Sequence, residues 1–460
     1  MKKDRIYFVG IGGIGMSALA RYFLAEGWAV GGYDRVESEL TRRLAESGAE
    51  IHYDDDVRLI PSQFLDAEHT AVVYTPAVPA EHTELAMFRE RGFEVMKRSQ
   101  MLGLLSQGKF VMAVAGTHGK TTTSTLAAWL NSLVTGGGSA FLGGVSKNFG
   151  GNLVQGDGNR LAVEADEFDR SFLRLSPDVA VVTSADADHL DIYGTHEAVK
   201  EAFAQFVERI REGGALVLKL GVDVAVRNNA IKVWRYSYDT PCDFYAANIA
   251  LIDGGHYRFD VVTPSGVVTD CTLCIPGWIN VENAVAAIAA FWCACQADGA
   301  KFDQERLRKA LAEFAGVKRR FEFYVNTPHQ VYMDDYAHHP RELAATITSV
   351  RKMFPERRLT AIFQPHLYTR TRDLYRDFAA SLSEADEVVL LPIYPAREEP
   401  IEGVSSQMIA DLVTVPCCIV AREKLVETIG GMNTDVVVTF GAGNIDALCE
   451  ALAAELKKRA

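Results

Sequence analysis

The residues best suited to phosphate chemistry stand in the segment Val111–Thr123, which reads VMAVAGTHGKTTT. Glycines let a backbone approach phosphate oxygens, a lysine supplies positive charge, and a hydroxyl binds Mg²⁺. The segment supplies these groups in that order as Gly116, Gly119, Lys120 and Thr121. It therefore predicts a loop that binds a nucleotide phosphate, without identifying the reaction.

A strand and a helix must flank this loop if it is to hold a phosphate. An apolar run from Phe110 to Ala115 predicts the strand, and apolar residues at helical spacing from Leu126 to Leu133 predict the helix. The first glycine of the strict GxxxxGK(S/T) pattern would fall at Val114, so the loop is a variant. An ordinary strand-to-helix turn with an exposed lysine is the alternative interpretation.

A second glycine pattern, Gly10-x-Gly12-x-x-Gly15, follows the first apolar run of the chain. A predicted helix and a predicted strand come next, and the strand ends at Asp34. An acidic residue at about this distance contacts a ribose hydroxyl in dinucleotide-binding units. The pattern favours a nucleotide-diphosphate site, and close packing of the helix against the strand is the alternative.

Two predicted strands in the middle of the chain end in acidic residues. The run over 160–163 leads into Glu164, Asp166 and Glu167, and the run over 178–183 leads into Asp186, Asp188 and His189. Because the carboxyl ends of parallel strands meet at one edge of a sheet, these groups are expected near the phosphate loop. There they would suit Mg²⁺ held against phosphates, and a solvated acidic surface is the alternative.

Histidines and arginines concentrate after the predicted strands in the last third of the chain. The segments after these strands begin with Asp334 and carry His338, His339, His366, Arg370 and Arg372. They suggest a place for anionic substrate groups, with an accidental surface cluster as the alternative. Earlier in the chain, Asn280 and Asn283 begin a predicted helix, which they could cap or where they could face a base.

Length and composition bound the class of protein. A chain of 460 residues exceeds one ordinary core, and 48% apolar with 23% charged residues is typical of a soluble globular protein. A formal net charge of −13 argues against a nucleic-acid partner. The sequence shows no membrane span and begins directly with a strand, without a signal peptide, so we expect a cytoplasmic protein.

Four of the eight cysteines need a separate interpretation, because Cys271-x-x-Cys274 and Cys293-x-Cys295 are spaced somewhat like a zinc ribbon. On a strand, an odd spacing sends the first two to opposite faces, and on a helix the second two diverge. Buried free thiols are therefore expected, with a zinc site as the alternative.

Taken together, these motifs resemble the Mur ligase family along the whole chain. The segments that carry the resemblance are VGIGGIGMSALA, AGTHGKTTT, EADEFDRSF, DHLDIY, GWINVENAVAAIAA, GVKRRFE, DDYAHHP, FQPHLYTRTRD and FGAGNID. The family implies an α/β protein with a Rossmann-like UDP-sugar-binding domain over 1–106, a central ATP-binding domain over 107–315 and a Rossmann-like amino-acid-binding domain over 316–460. The central P-loop domain is expected to combine a parallel sheet with a small antiparallel sheet.

Within the family, the motifs are similar to those of the enzymes that join L-alanine to the lactyl carboxylate of UDP-N-acetylmuramic acid. The resemblance implies cleavage of ATP to ADP and phosphate, an acyl-phosphate intermediate, and Mg²⁺ with Mn²⁺ as a substitute. It further implies a place in peptidoglycan precursor synthesis and a monomer or homodimer, without nucleic-acid or membrane partners.

The resemblance also assigns residue roles. ATP would contact Gly116, Thr117, His118, Gly119, Lys120, Thr121, Thr122, Asn280, Asn283, Arg320 and Asp335, and the metal would contact Thr121, Glu164 and His189. The UDP-sugar would contact Gly12, Gly13, Ile14, Asp34 and Thr75, and the reaction with alanine would use Lys120, His189, His338, His339, Arg370 and Arg372. Relatives often carry an arginine where this chain has Leu367, which leaves Arg370 or Arg372 to bind the alanine carboxylate.

Three other functions fit parts of the sequence. A recycling ligase would attach a whole tripeptide to the same UDP-sugar, and the segment GIGGIGM favours the alanine enzyme over it. A nicotinamide-dependent dehydrogenase would use Gly10–Gly15 and Asp34 but would leave the Lys120 loop without a purpose. A nucleotide-switch protein would bind ATP without synthetic chemistry.

Overall fold

Apolar strands alternate with helices and form three sheets, which are divided between two compact units. The computed structural model describes residues 3–79, 81–134, 136–187, 190–396 and 398–459. The first unit comprises Met1–Ala247, Asp260–Thr269 and Glu282–Gly316, and the second comprises Asn248–Phe259, Asp270–Val281 and Val317–Ala460. The domain limits near residues 106 and 315 stay predictions.

The first sheet is parallel and has the strand order β3-β2-β1-β4-β5. Its strands are β1 (Arg5–Val9), β2 (Ala29–Tyr33), β3 (Glu50–His52), β4 (Thr70–Tyr74) and β5 (Glu94–Lys97). Its helices are α1 (Ile14–Ala25), α2 (Glu39–Glu46), α3 (Thr83–Glu90) and α4 (Arg98–Leu105). Since β1 lies between β2 and β4, the loop after β1 opens where the strand order reverses, which is where α/β sheets bind ligands.

The second sheet has ten strands in the order β15-β14-β13-β12-β11-β10-β6-β9-β7-β8. The strands are β6 (Phe110–Ala115), β7 (Gly138–Ser146), β8 (Gly151–Val154), β9 (Arg160–Glu164), β10 (Val179–Val182), β11 (Ala215–Lys219), β12 (Lys232–Ser237), β13 (Phe244–Ile252), β14 (His256–Thr263) and β15 (Gly266–Leu273). The helices are α5 (Lys120–Asn131), α6 (Leu190–Tyr193), α7 (His196–Glu208), α8 (Trp278–Asp298) and α9 (Gln304–Glu313). Parallel pairing places β6 between β9 and β10, so the predicted phosphate loop and both acidic segments follow adjacent strands.

The glycine-rich composition of residues 136–152 is typical of turns, but most of this segment forms β7 and β8. Glycine weakens an isolated strand, but here it makes room for a side chain of a neighbouring strand. A Cβ atom at Gly143 would overlap the carboxylate of Glu164. Pairing with β9 and between β7 and β8 then supplies the backbone hydrogen bonds that the glycine-rich sequence alone would not predict.

The third sheet has the order β16-β17-β21-β18-β19-β20. Strands β16 and β17 pair antiparallel, and the other neighbouring strands pair parallel. Its strands are β16 (Glu322–Asn326), β17 (Val331–Asp335), β18 (Leu359–Phe363), β19 (Glu387–Leu390), β20 (Cys417–Ile419) and β21 (Val436–Phe440). The helices are α10 (Pro340–Met353), α11 (Tyr368–Leu382), α12 (Gln407–Ala410), α13 (Leu425–Gly431) and α14 (Cys449–Leu456). Two apolar clusters cover opposite faces of the sheet, because successive β-strand side chains alternate, as Val436 and Val437 do.

Helix α8 and the cysteines belong to the core. By length and composition α8 could cross a membrane, but 89% of its most apolar window is buried inside the protein, as in the core helix of a globular domain. Cys271, Cys293 and Cys295 are buried, as expected. The expectation is wrong for Cys274, which is exposed because β15 ends one residue before it.

Candidate functional site: a phosphate loop and two further polar clusters

The segment between β6 and α5, residues 116–121, has the backbone of a phosphate loop. Gly116 has φ +143° and Gly119 has φ +79°, a region of φ in which residues with a side chain are strained. A Cβ atom at Gly116 would overlap the Thr183 hydroxyl, and one at Gly119 would lie 2.7 Å from Asn283 Oδ1. The glycines are therefore required by both conformation and space, and they precede the N-terminus of α5, where backbone N–H groups favour an anion.

The residues after β10 brace this loop from one side. Ser184 Oγ accepts hydrogen bonds from the His118 backbone N–H at 2.8 Å and from the Thr117 hydroxyl at 2.9 Å. Thr183 donates to the carbonyl of His118, and the His118 imidazole lies 3.5 Å from an Asp186 carboxylate oxygen. The loop conformation is thus held by side chains that follow β10. Asp186 was expected near the loop, whereas Thr183 and Ser184 were not identified from the sequence.

Lys120 is the first residue of α5, and its ammonium group turns back over the loop. It donates to the Gly116 carbonyl at 2.5 Å and lies 2.7 and 2.8 Å from the two carboxylate oxygens of Glu167. Burial alone lowers the pKa of this ammonium, but the carboxylates of Glu167, Asp166 and Glu164 together raise it above its ordinary value. Lys120 therefore carries its full positive charge at neutral pH.

The predicted metal ligands lie partly within the described residues. Thr121 is buried in the first turn of α5, and Glu164 ends β9, one strand away from the loop in the sheet. His189 lies outside the described residues. Over the described ranges no group of three or more His, Cys, Asp or Glu side chains is arranged to hold a metal. The hydroxyl and carboxylate oxygens fit Mg²⁺, which usually takes few protein ligands and fills its octahedron with water and phosphate oxygens.

The two asparagines near the start of α8 make different contacts. Asn283 is buried next to the phosphate loop, and its Oδ1 accepts from the Thr123 hydroxyl at 3.4 Å. Asn280 donates from Nδ2 to the Pro276 carbonyl at 2.6 Å, which ties the first turn of the helix to the preceding segment. Asn280 is the third residue of α8, and in this contact its amide donates, whereas an N-cap side chain accepts, so the contact is not an N-cap. The prediction that either amide faces a base stays a prediction.

The predicted UDP-binding residues come together at the carboxyl edge of the first sheet. The N–H of Gly12 donates to Asp34 Oδ2 at 2.7 Å, and α1 begins two residues later at Ile14. Thr75 follows β4, and a Cβ atom at Gly10 would lie 2.5 Å from its methyl carbon. Gly12, Gly13, Ile14, Asp34 and Thr75 thus surround one helix N-terminus.

In the second unit, Asp335 and Arg320 belong to one cluster. Asp335 ends β17 and accepts hydrogen bonds from the backbone N–H groups of Phe321 at 2.9 Å and Ala337 at 2.8 Å. Burial raises the pKa of Asp335 to about 6, although Arg320 and the two N–H donors act in the opposite direction. The Arg320 guanidinium lies 5.0 Å from the centroid of the Tyr336 ring, so an arginine, a carboxyl group and an aromatic ring converge there.

His338 and His339 follow the same strand but have different hydrogen bonds. His338 Nδ1 lies 3.1 Å from the Tyr336 carbonyl, which can only accept, so Nδ1 carries the hydrogen and Nε2 is left with the lone pair in the neutral ring. His339 Nδ1 instead accepts from the N–H of Arg341 at 3.4 Å as the N-cap of α10. Of the two, only His338 has its Nε2 lone pair set by such a contact.

Glu342 holds both histidines. Its Oε2 accepts from the backbone N–H of His338 at 3.0 Å and of His339 at 3.2 Å, and it lies 3.4 Å from His338 Nδ1. A carboxylate at this distance stabilises the imidazolium form of His338. The prediction missed Glu342, although a glutamate three residues after the N-cap forms a capping box that the sequence displays.

The predicted arginines lie on different faces of α11. Arg370 is buried, whereas Arg372 is exposed and donates from Nε to Asp373 Oδ1 at 2.7 Å. Leu367, where the family resemblance leads us to expect an arginine, is the N-cap of α11 with φ +69°, a strained value for leucine. Glu398 accepts from the N–H and hydroxyl of Thr369 in the first turn, so a carboxylate already lies at this helix N-terminus.

Three family models match the chain. They are "Mur ligase family, catalytic domain" over residues 5–110, "Mur ligase middle domain" over 114–291 and "Mur ligase, glutamate ligase domain" over 319–443. A UDP-N-acetylmuramate–L-alanine ligase from Parabacteroides distasonis is 51% identical over 452 residues, which are 98% of this chain and 96% of that protein. The chain belongs to the Mur ligase family.

Further relatives of this Mur ligase are similar along their whole length. A UDP-N-acetylmuramate–L-alanine ligase from Phocaeicola vulgatus is 47% identical over 458 residues, covering 99% of this chain and 98% of the relative. The crystal structure of a UDP-N-acetylmuramate–alanine ligase from Thermotoga maritima matches with a TM-score of 0.81 at 26% identity and covers 99% of both chains. The predicted family and α/β fold are confirmed, and ATP is the nucleotide that Mur ligases use.

Proposed function

We propose that this Mur ligase joins L-alanine to the lactyl carboxylate of UDP-N-acetylmuramic acid while it cleaves ATP to ADP and phosphate. The observation that carries the proposal is a lysine-containing phosphate loop in a chain whose full-length relatives bear the name of this activity. The product would be a peptidoglycan precursor, made in the cytoplasm. The oligomeric state, monomer or homodimer, stays a prediction.

The loop would activate the carboxylate. A carboxylate is a poor acylating agent, and phosphorylation gives it a phosphate leaving group. In-line transfer of the γ-phosphoryl group spreads negative charge over oxygens that the N–H groups of residues 116–121 and the Lys120 ammonium would neutralise. The acyl phosphate formed would then be the species that alanine attacks.

Thr121, Glu164 and His189 are the proposed ligands of Mg²⁺, with Mn²⁺ as a substitute. The metal would supply further charge neutralisation at the phosphate oxygens. Thr117, His118 and Thr122 would complete the phosphate cradle, and Asn280, Asn283, Arg320 and Asp335 keep their proposed contacts with ATP. Replacement of Glu164 by Gln should raise the Mg²⁺ concentration needed for half-maximal turnover, and an unchanged metal dependence would contradict its role as a ligand.

Binding of the two other substrates is assigned to separate clusters. Gly12, Gly13, Ile14, Asp34 and Thr75 would bind the UDP-sugar, since the N-terminus of α1 favours a diphosphate and Asp34 suits a ribose hydroxyl. Buried Arg370 is a better candidate than exposed Arg372 for the alanine carboxylate, because Arg372 already pairs with Asp373.

His338 is the proposed base. The alanine amine must attack as the free base, and a neutral imidazole with its lone pair on Nε2 has a suitable unperturbed pKa to accept the proton. Glu342, 3.4 Å from Nδ1, would stabilise the imidazolium that forms. His339 would cap α10 and support this geometry.

One assay tests the proposal against its rivals. Phosphate release is measured with ATP, Mg²⁺ and UDP-N-acetylmuramate while L-alanine, glycine, L-serine or the tripeptide is offered in turn. We expect L-alanine to give the fastest turnover and a labelled UDP-muramoyl-alanine product. Faster turnover with the tripeptide would indicate a recycling ligase, and ATP binding without substrate-dependent turnover would indicate a nucleotide switch.

A further inference from the structure

The Lys120 ammonium already has hydrogen-bond and ion-pair partners within the protein. It donates one hydrogen bond to the Gly116 carbonyl and one to Glu167 Oε1 at 2.8 Å, and Glu167 Oε2 lies 2.7 Å from the same nitrogen in an ion pair. An ammonium group has three donors and no acceptor. Because both oxygens of Glu167 lie against this ammonium, the Glu167 carboxylate competes with any phosphate that approaches Lys120.

Burial and backbone contacts restrict the movement of Glu167 if Lys120 changes its orientation. Its side chain is only 1% exposed, and its carbonyl accepts from the Tyr193 hydroxyl at 2.6 Å and from the Arg170 N–H at 2.9 Å. The residue lies in the segment between β9 and a 3₁₀ helix that begins at Phe168. Its carboxylate is thus a fixed partner, whereas Lys120 has a flexible side chain of four methylene groups.

Charge makes the pairing more than a packing contact. Burial of an ion pair costs hydration free energy, and the attraction between the two ions offsets this cost only while both partners are present. Nucleotide phosphates carry more negative charge than one carboxylate and form equally strong charge-assisted hydrogen bonds. A phosphate entering the loop therefore competes directly with Glu167 for the same ammonium.

We propose that Glu167 is a positioning residue that holds the Lys120 ammonium in an ion pair, and that a nucleotide phosphate replaces part of this contact when it binds. This exchange of partners sets the nucleotide affinity. The proposal rests on the proposed function only in requiring that the loop bind a nucleotide. In this role Glu167 lowers affinity, and in return it keeps a buried lysine in a single orientation before the phosphate arrives.

The test is calorimetric binding of ADP in the presence of EDTA to the wild type, Glu167→Gln and Asp169→Asn. Glutamine keeps the shape and one acceptor but removes the competing charge, so ADP should bind about tenfold more tightly or better. Asp169 is a nearby acid that pairs with Lys97 at 2.6 Å rather than with Lys120, so its variant controls for general loss of negative charge. Equal ADP affinity of Glu167→Gln and wild type, or an equal gain in both variants, would overturn the proposal.

Two further measurements keep the outcome interpretable. The melting temperature without nucleotide should fall in Glu167→Gln, because Lys120 loses its counter-ion, and ADP should raise it by more than in the wild type. Glu167→Asp keeps the charge with a shorter side chain and should bind ADP with intermediate affinity, which provides a test if the glutamine variant does not fold.

Weaker binding of ADP only when Mg²⁺ is present would show that Glu167 is a metal ligand instead and would overturn the exchange. Failure of the wild type to bind ADP would contradict the proposed function.

Discussion

The two glycine loops of the first unit, at residues 10–15 and 116–121, use one backbone design with different charges. Each follows a buried parallel strand, begins with a glycine at positive φ and leads into a helix N-terminus. In both, an acidic side chain contacts a group suited to binding phosphate. Asp34 accepts from the Gly12 N–H at 2.7 Å, and Glu167 pairs with Lys120 at 2.7 Å.

The difference lies in what each acid contacts. Asp34 follows β2, is partly exposed, and accepts from the backbone N–H groups of Gly12 and Val36, in a position suited to a ribose hydroxyl. Glu167 is buried and pairs with the Lys120 charge that the proposed phosphate transfer would use. An acidic side chain is therefore assigned to binding of the substrate at the first loop and to competition with the substrate at the second.

The largest effect is expected from Lys120→Ala. Residues 10–15 include no charged side chain, whereas residues 116–121 include Lys120, on which we expect turnover to depend. Phosphate release should fall on the order of 10³-fold or more, because transition-state charge loses its main protein partner. The control is Lys301→Ala, which removes an exposed lysine 2.9 Å from Asp303 and should retain normal rates. Turnover near the wild-type rate in Lys120→Ala would contradict the assignment of the loop.

Alanine substitutions in the two loops should separate the two substrates. Gly12→Ala would place a Cβ atom 2.9 Å from Asp34 Oδ2, and we expect KM for the UDP-sugar to rise by about one order of magnitude while KM for ATP is unchanged. Gly116→Ala should do the reverse, since its Cβ atom would overlap Thr183. Gly27→Ala is the control, because Gly27 has positive φ but open space around it. An equal rise in both KM values for either loop variant would contradict the separation.

Asp34→Asn should distinguish the acids themselves. If Asp34 binds the ribose, loss of its charge weakens a charge-assisted hydrogen bond, and KM for the UDP-sugar should rise about fivefold. This is the opposite sign to the tighter ADP binding expected for Glu167→Gln. Steady-state kinetics with UDP-N-acetylmuramate as the varied substrate measures it. A lower KM would show that Asp34, like Glu167, competes with its ligand.

The smallest effect on turnover is expected for Glu84, a buried carboxyl group of the first unit that lies 3.2 Å from His52 Nε2. Burial raises the pKa of Glu84 to about 8, although the Tyr7 hydroxyl donates to it at 2.8 Å. Between about pH 4.5 and 8 the folded state keeps a proton that the unfolded state releases, so the free energy of unfolding decreases as pH rises. His52, whose pKa is lowered by burial, acts in the opposite direction mainly below its ordinary pKa of 6.5.

Glu84→Gln removes this titration and should flatten the pH dependence. From about pH 6 to 8 the wild type should lose about 2 kcal/mol relative to the variant. Chemical unfolding at several pH values measures the difference, and KM values should not change. Parallel stability curves for the two proteins would show that Glu84 is ionised in the folded state.

Local patterns were enough to predict most elements and both glycine loops. The run 110–115, the glycines and Lys120 are contiguous, so strand, loop and helix could be identified without the rest of the chain. The strands β7 and β8 were missed because their glycines carry no local strand signal, and only pairing with β9 makes them strands. The exposed Cys274 was missed because the end of β15 depends on where its pairing stops.

The sequence by itself determined the family, the order of the chemical groups and their association with strand ends, because motifs and periodicity are properties of neighbouring residues. Only the tertiary structure decided which acid meets Lys120, which residue braces His118 and which nitrogen of His338 carries the hydrogen. Those outcomes depend on contacts between residues 47 to 66 positions apart for the loop, and on a carbonyl approaching one side of an imidazole ring. In the proposed roles, the group that each carboxylate contacts and its depth of burial separate Asp34, a substrate ligand, from Glu167, a competitor of the substrate.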